Sequence, residues 1–110
     1  MVLVAETKKE NKEFYFAVYL KGGKFAKIST IDYPEVSKYT WYLKKSFCRK
    51  YVYRCYRING KKRYQSLHRF IMLPPPGYVV HHINKDVLDN RRSNLLSMPV
   101  FDHIKKHSWR

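Results

Sequence analysis

The segment Tyr78–His107, YVVHHINKDVLDNRRSNLLSMPVFDHIKKH, gathers four of the five histidines and three asparagines into about a quarter of the chain. His81 and His82 follow the apolar pair Val79-Val80 and read as the end of a strand. Alternation along a strand sends their side chains to opposite faces, so the two imidazoles have different jobs. Pro99 is suited to the start of a helix, which is expected to run to Lys106 or His107. On that helix His103 and His107 are i and i+4 and share one face. Imidazoles at this spacing suit a divalent transition metal, and His81 would bring a third nitrogen, leaving a position for water or a phosphate oxygen. For His107 the competing reading is a cation at a helix C-terminus, favoured by the dipole. Between strand and helix, Asn84, Lys85, Asp86, Asp89 and Asn90 make a turn-rich loop, with Asp89 and Asn90 shaping it through side-chain-to-backbone bonds. Asn94 closes the loop, and Leu95-Leu96-Ser97 can pair back onto the first strand. A single histidine is usually a hydrogen-bonded structural residue. Four at these offsets, with Asn94 between them, read instead as a metal-and-base centre.

Charge limits what such a centre can act on. The 110-residue chain carries 23 Lys and Arg against 8 Asp and Glu, a net +15. Self-repulsion of that size opposes compaction and points to a polyanionic partner, with nucleic acid first and an anionic membrane surface second. A hydrophobic content of 45% fits a folded chain rather than a disordered one. No apolar run reaches the ~18 residues of a membrane span, and the N-terminus has no basic region followed by a long apolar core. The expectation is a soluble, cytoplasmic protein in a reducing compartment, with Cys48 and Cys55 as free thiols.

The elements that must position the centre come before it. Residues 1–12 leave open whether their apolar start pairs as an edge strand or frays. Phe14–Leu20 is aromatic and β-branched, as a strand requires, and Gly22-Gly23 turns it back into 24–30. Asp32-Tyr33-Pro34-Glu35 opens a short helix to about Lys38, and Trp41-Tyr42-Leu43 packs it onto the sheet. Asn59-Gly60 predicts a type I′ hairpin. The two-residue turn pairs Ile58 with Lys61, Tyr56 with Arg63, Arg54 with Gln65 and Val52 with Leu67. One face then bears Tyr53, Cys55 and Tyr64. The other bears Arg54, Tyr56, Arg63 and Gln65, a surface suited to phosphates or base edges and equally readable as a solvated sheet face. Leu67–Leu73 is expected to be a short buried helix, ended by Pro74-Pro75-Pro76-Gly77. Within it, His68 reads as a structural residue packing two lobes together, and Arg69 as either a phosphate contact or a surface ion.

The segment VVHHINKDVLDNRRSNL, followed by His103, resembles the HNH motif of the ββα-metal (His-Me finger) endonucleases. The preceding LHRFIM and the Pro-Gly elbow are similar to small phage and intron-encoded homing enzymes. The pattern is an H-H pair, Asn94 thirteen positions after the first histidine, and a ligand nine further on. The resemblance is strong from Leu67 onward and faint back to about residue 31. It implies an α+β fold: an N-terminal antiparallel β-rich lobe with a short helix (1–66), then a C-terminal ββα-metal motif (67–110). It also implies that His81 and His103 hold one divalent metal, that His82 is the general base, and that Asn94 orients the loop and the His82 ring. This chain has His81 where many phage members have Asp, His103 where they have Asn, and Pro99 where they usually have Thr. The all-histidine set is softer and leaves Mg, Mn, Zn and Ni as candidates.

The implied reaction is metal-dependent hydrolysis of a phosphodiester in duplex DNA, with Arg91 and Arg92 holding the phosphate backbone or forming a solvated charge pair. Two other readings use the same residues. One is a nonspecific, toxin-like nuclease; the other is a non-catalytic DNA-binding module stapled by its metal. A lone centre of this kind cuts one strand at a time, so both a monomer and a homodimer fit, and a phage-encoded origin suits the resemblance.

Overall fold

The computed structural model describes residues 4–10, 13–46 and 49–100. Its first sheet forms where the aromatic and β-branched residues predict it. Strands β1 (Val4–Glu10), β2 (Glu13–Tyr19) and β3 (Phe25–Ser29) run antiparallel, and the N-terminal segment pairs as an edge strand. Alternation along β2 and β3 puts Val18, Ala26 and Ile28 in the interior. A 3₁₀ turn over Thr30–Asp32 leads into the short helix α1 (Tyr33–Val36), which carries Pro34 in its first turn. Trp41 is fully buried, and its indole N–H donates to the Val36 carbonyl at 2.9 Å, tying α1 to the second sheet.

That sheet has the order β4 (Tyr42–Ser46), β5 (Arg49–Ile58), β6 (Lys61–Ser66). Asn59 and Gly60 both adopt positive φ, as a type I′ turn requires. The pairs Ile58–Lys61, Tyr56–Arg63 and Arg54–Gln65 form as expected. Val52 does not meet Leu67 in the sheet, because Leu67 already begins helix α2 (Leu67–Met72).

The two faces of this hairpin are the reverse of what a DNA-reading Arg54 surface needs. Val52 is 1% exposed and lies on the same face as Arg54 and Tyr56, so burying it draws that face under α2. The Arg54 guanidinium lies 4.2 Å from the Tyr39 ring centre and 4.7 Å from that of Tyr56, and donates to Gln65 Oε1 at 3.1 Å. It is packed inside this arrangement rather than presented outward. Only Arg63 of that set is exposed.

Beyond the proline elbow, β7 (Tyr78–His82) pairs antiparallel with β9 (Leu95–Pro99), with His82 opposite Leu95 and His81 opposite Leu96. Between them β8 (Asp89–Asn90) joins the first sheet as a parallel partner of Lys27 and Ile28 on β3. The hydrophobic core draws Val18, Ile28, Trp41 and Val52 together with Leu67, Ile71, Val80 and Leu95. No helix among the described residues is long and apolar enough to cross a membrane. Pro99, expected to start a helix, is instead the last residue of β9, and Val100 is helical; the rest of the predicted helix lies outside the described residues.

Candidate active site

His82 ends β7 with its side chain turned inward, 9% exposed, while its neighbour His81 is half-buried. The His82 Nε2 lies 2.9 Å from Asn90 Oδ1. The chemistry of Asn90 settles which atom gives the proton. Its Nδ2 donates to the Val87 carbonyl at 3.0 Å, so its Oδ1 is the acceptor and His82 Nε2 carries the hydrogen. A neutral ring in that tautomer bears its lone pair on Nδ1. Burial pushes the pKa of His82 below the ordinary histidine value, against the upward pull of the Asn90 bond and of the Asp86 and Asp89 carboxylates. The ring is therefore neutral at pH 7 and able to accept a proton.

A second imidazole packs against it. His68, from α2, stands edge-on to His82 with 4.8 Å between ring centres and 70° between planes. Its pKa is lowered to about 4, chiefly by burial and then by the charge of a protonated His82 and of Arg69. His68 does pack the segments on either side of the elbow together, and it does so against the candidate base itself.

The loop from 83 to 94 is held by Asn94 and Asp89. Asn94 Oδ1 accepts the Asn84 backbone N–H at 2.9 Å, and its Nδ2 donates to Asn84 Oδ1 and to the Asp89 carbonyl. Asn84 Oδ1 also accepts the Asp86 N–H, and Asp86 Oδ1 accepts the Leu88 N–H, the short side-chain-to-backbone bonds expected of Asx residues in a turn. Asn94 thus orients the loop; the side chain bonded to the His82 ring is Asn90. Asp89 is 1% exposed and receives both arms of Arg91, Nε at 2.7 Å and Nη2 at 2.6 Å. These bonds, with burial opposing them, hold its carboxyl below the ordinary range. Arg91 is itself 6% exposed and reaches Glu13 at 3.4 Å, so its place is an interior ion pair and not a contact to a phosphate backbone. Arg92 is half-exposed and forks onto Asp32, while Arg69 is exposed and donates to the Tyr78 carbonyl.

Nothing local in the sequence marks Asn90 as the partner of His82. Its position depends on β8 pairing with β3, some 60 residues away. Of the expected metal ligands, His81 lies among the described residues, whereas His103 and His107 lie outside them. Among the described residues no three His, Cys, Asp or Glu side chains gather as a metal site.

A family model described as HNH endonuclease matches residues 73–103, a span holding His81, His82, Asn90, Asn94 and His103. An uncharacterised HNH endonuclease of Acanthamoeba polyphaga mimivirus is 36% identical over 100 residues, covering 84% of this chain and 49% of that protein. The chain thus spans about half the length of the curated relative it matches. No solved structure matches. The histidine pair and the asparagine-held loop thus lie in the segment of this chain that matches the HNH endonuclease family.

Proposed function

We propose that the protein is a metal-dependent DNA endonuclease in which His82 is the general base. The observation that carries this reading is the buried, neutral His82 ring fixed in one tautomer by Asn90, inside the segment matched to the HNH family. In the proposed reaction Nδ1 of His82 takes a proton from a water whose oxygen attacks phosphorus in line. An O–P bond forms and the bond from phosphorus to the 3′ oxygen breaks. The leaving 3′ oxyanion is protonated by solvent, giving a 5′-phosphate and a 3′-hydroxyl. Asn90 and the nearby carboxylates favour the imidazolium that forms. Asn94 keeps the loop, and through it Asn90, in place.

One divalent ion, Mg, Mn, Zn or Ni, would be held by His81 with His103, and with His107 if that residue is a ligand; it would neutralise charge on the scissile phosphate. Residues 67–110 would carry the nuclease motif, preceded by a β-rich lobe over 1–66. Exposed Arg63, Arg69 and Arg92 are candidates to hold the backbone of duplex DNA in a monomer or homodimer.

The test is plasmid cleavage with each metal, with and without chelator. His82→Ala should lower the rate by a factor of about 10²–10⁴ while leaving DNA affinity intact. Equal cleavage by the two proteins would remove His82 from the mechanism.

A further inference from the structure

The outer face of the second sheet has no part in the histidine site, and it gathers aromatic rings and cations. Registry places Tyr42, Tyr51, Tyr53 and Tyr64 together on it, across all three strands. Their rings form a contiguous cluster, inclined to Tyr53 by 30° (Tyr42), 60° (Tyr51) and 59° (Tyr64). Tyr53 lies 5.6 Å from Tyr42, 5.9 Å from Tyr51 and 5.6 Å from Tyr64. None of the four belongs to the hydrophobic core, and Tyr64 is 53% exposed. The Lys44 ammonium stands over two of the rings, 5.9 Å from Tyr53 and 5.4 Å from Tyr64. Arg57 and Lys62 continue the same face toward the hairpin turn and are exposed.

The stretch of chain that builds it carries charge of one sign. From Val36 to Lys85 the chain has seven lysines and five arginines and not one Asp or Glu. A cation-studded aromatic floor without acids complements a polyanion that also offers flat π-faces. Duplex DNA offers phosphates but keeps its base faces stacked inside, so it would engage the cations and leave the rings with little to gain. An unpaired strand offers both.

We infer that the outer face of β4–β6 binds single-stranded nucleic acid, with two or three bases lying on the Tyr42, Tyr51, Tyr53 and Tyr64 rings and phosphates paired with Lys44, Arg57 and Lys62. This goes beyond hydrolysis at His82 and does not depend on it. A nuclease so equipped would grip DNA at a place where the strands are already apart.

The experiment is fluorescence anisotropy of a labelled 20-nucleotide oligothymidylate and of a labelled 20-base-pair duplex, in chelator so that metal-dependent cleavage cannot intervene. The single strand should bind at least tenfold tighter than the duplex at physiological salt. Tyr64→Ser should weaken single-strand binding about tenfold, and Tyr64→Phe should keep it. Replacing Lys44, Arg57 and Lys62 with Gln should lower the salt slope on the single strand by about two, three lost phosphate contacts at roughly 0.7 each. His82→Ala should bind as the wild type does, so loss of cleavage and loss of strand binding are read separately. Duplex binding as tight as single-strand binding, or undiminished affinity in either surface variant, overturns the proposal. So does a concentration-dependent dimer that Tyr64→Ser dissolves, which would assign the face to a second copy of the chain.

Discussion

In the 83–94 loop the side chains of Asp89, Asn90, Arg91 and Asn94 are turned inward and answered by one another, by the backbone and by Asn84, His82 and Glu13, and no buried side-chain nitrogen or oxygen among the described residues lacks a partner. On the outer face of β4–β6 the tyrosines and cations point away from the core: the rings contact one another and the Lys44 ammonium, and Arg57 donates to the Gly60 carbonyl. The first arrangement fixes one imidazole and commits its polar groups to doing so. The second leaves its polar and aromatic groups available. Cations follow the same division. Arg91 lies buried on Asp89 and contributes to shape, whereas Lys44, Arg57 and Lys62 keep the positive charge at the surface.

If this contrast is right, damage to the loop should be costly and damage to the sheet face cheap. Asp89→Ala removes the carboxylate that receives Nε and Nη2 of the buried Arg91, and breaking a buried pair from one side typically costs about 3–5 kcal/mol. Chemical denaturation measures it directly, and a loss below about 1 kcal/mol would mean that the pair is not buried in solution.

The histidine pair should make stability depend on acid. Folding moves His68 from an ordinary 6.5 to about 4, so between those values the unfolded chain takes up a proton that the folded chain refuses. Stability is then fully present above about pH 6.5 and falls as the pH drops toward 4, by up to ~1.4 kcal/mol per pH unit for each withheld proton. His82, lowered in the same direction, adds to the slope. His68→Gln should flatten the curve over that window, and an unaltered slope would show that His68 is not buried in solution. At the other end of the scale, Tyr64→Ser removes one half-exposed cross-strand contact and should cost only about 0.2–1 kcal/mol. A larger loss would make the tyrosine floor part of the stabilising framework instead of a free surface.

How far these two regions could be read from residues alone follows the range of the interactions that build them. The Asn59-Gly60 turn and its register are local, because positive φ at two neighbouring positions determines which residues pair. The helix over Leu67–Met72, the proline elbow and the His81-His82 strand are local for similar reasons. Which hairpin face turns inward is not local. It depends on Val52 meeting a core that includes Trp41, Leu67 and Ile71, and that contact carries Arg54 inward with it. The parallel pairing of Asp89-Asn90 with β3 is equally distant in sequence, and it hides Arg91 and delivers Asn90 to His82. The dense His/Asn segment therefore announces a site, while the assignment of its second asparagine depends on contacts with the N-terminal sheet.

The proposed chemistry depends on Asn90 holding a neutral His82 with its proton on Nε2 and its lone pair on Nδ1. Nitrogen-15 NMR of histidine-labelled protein at pH 7 reads this directly. The expected spectrum is that of a neutral His82 ring protonated at Nε2, with that tautomer preference lost in Asn90→Ala. A charged ring at pH 7, or a proton resident on Nδ1 in the wild type, would contradict it.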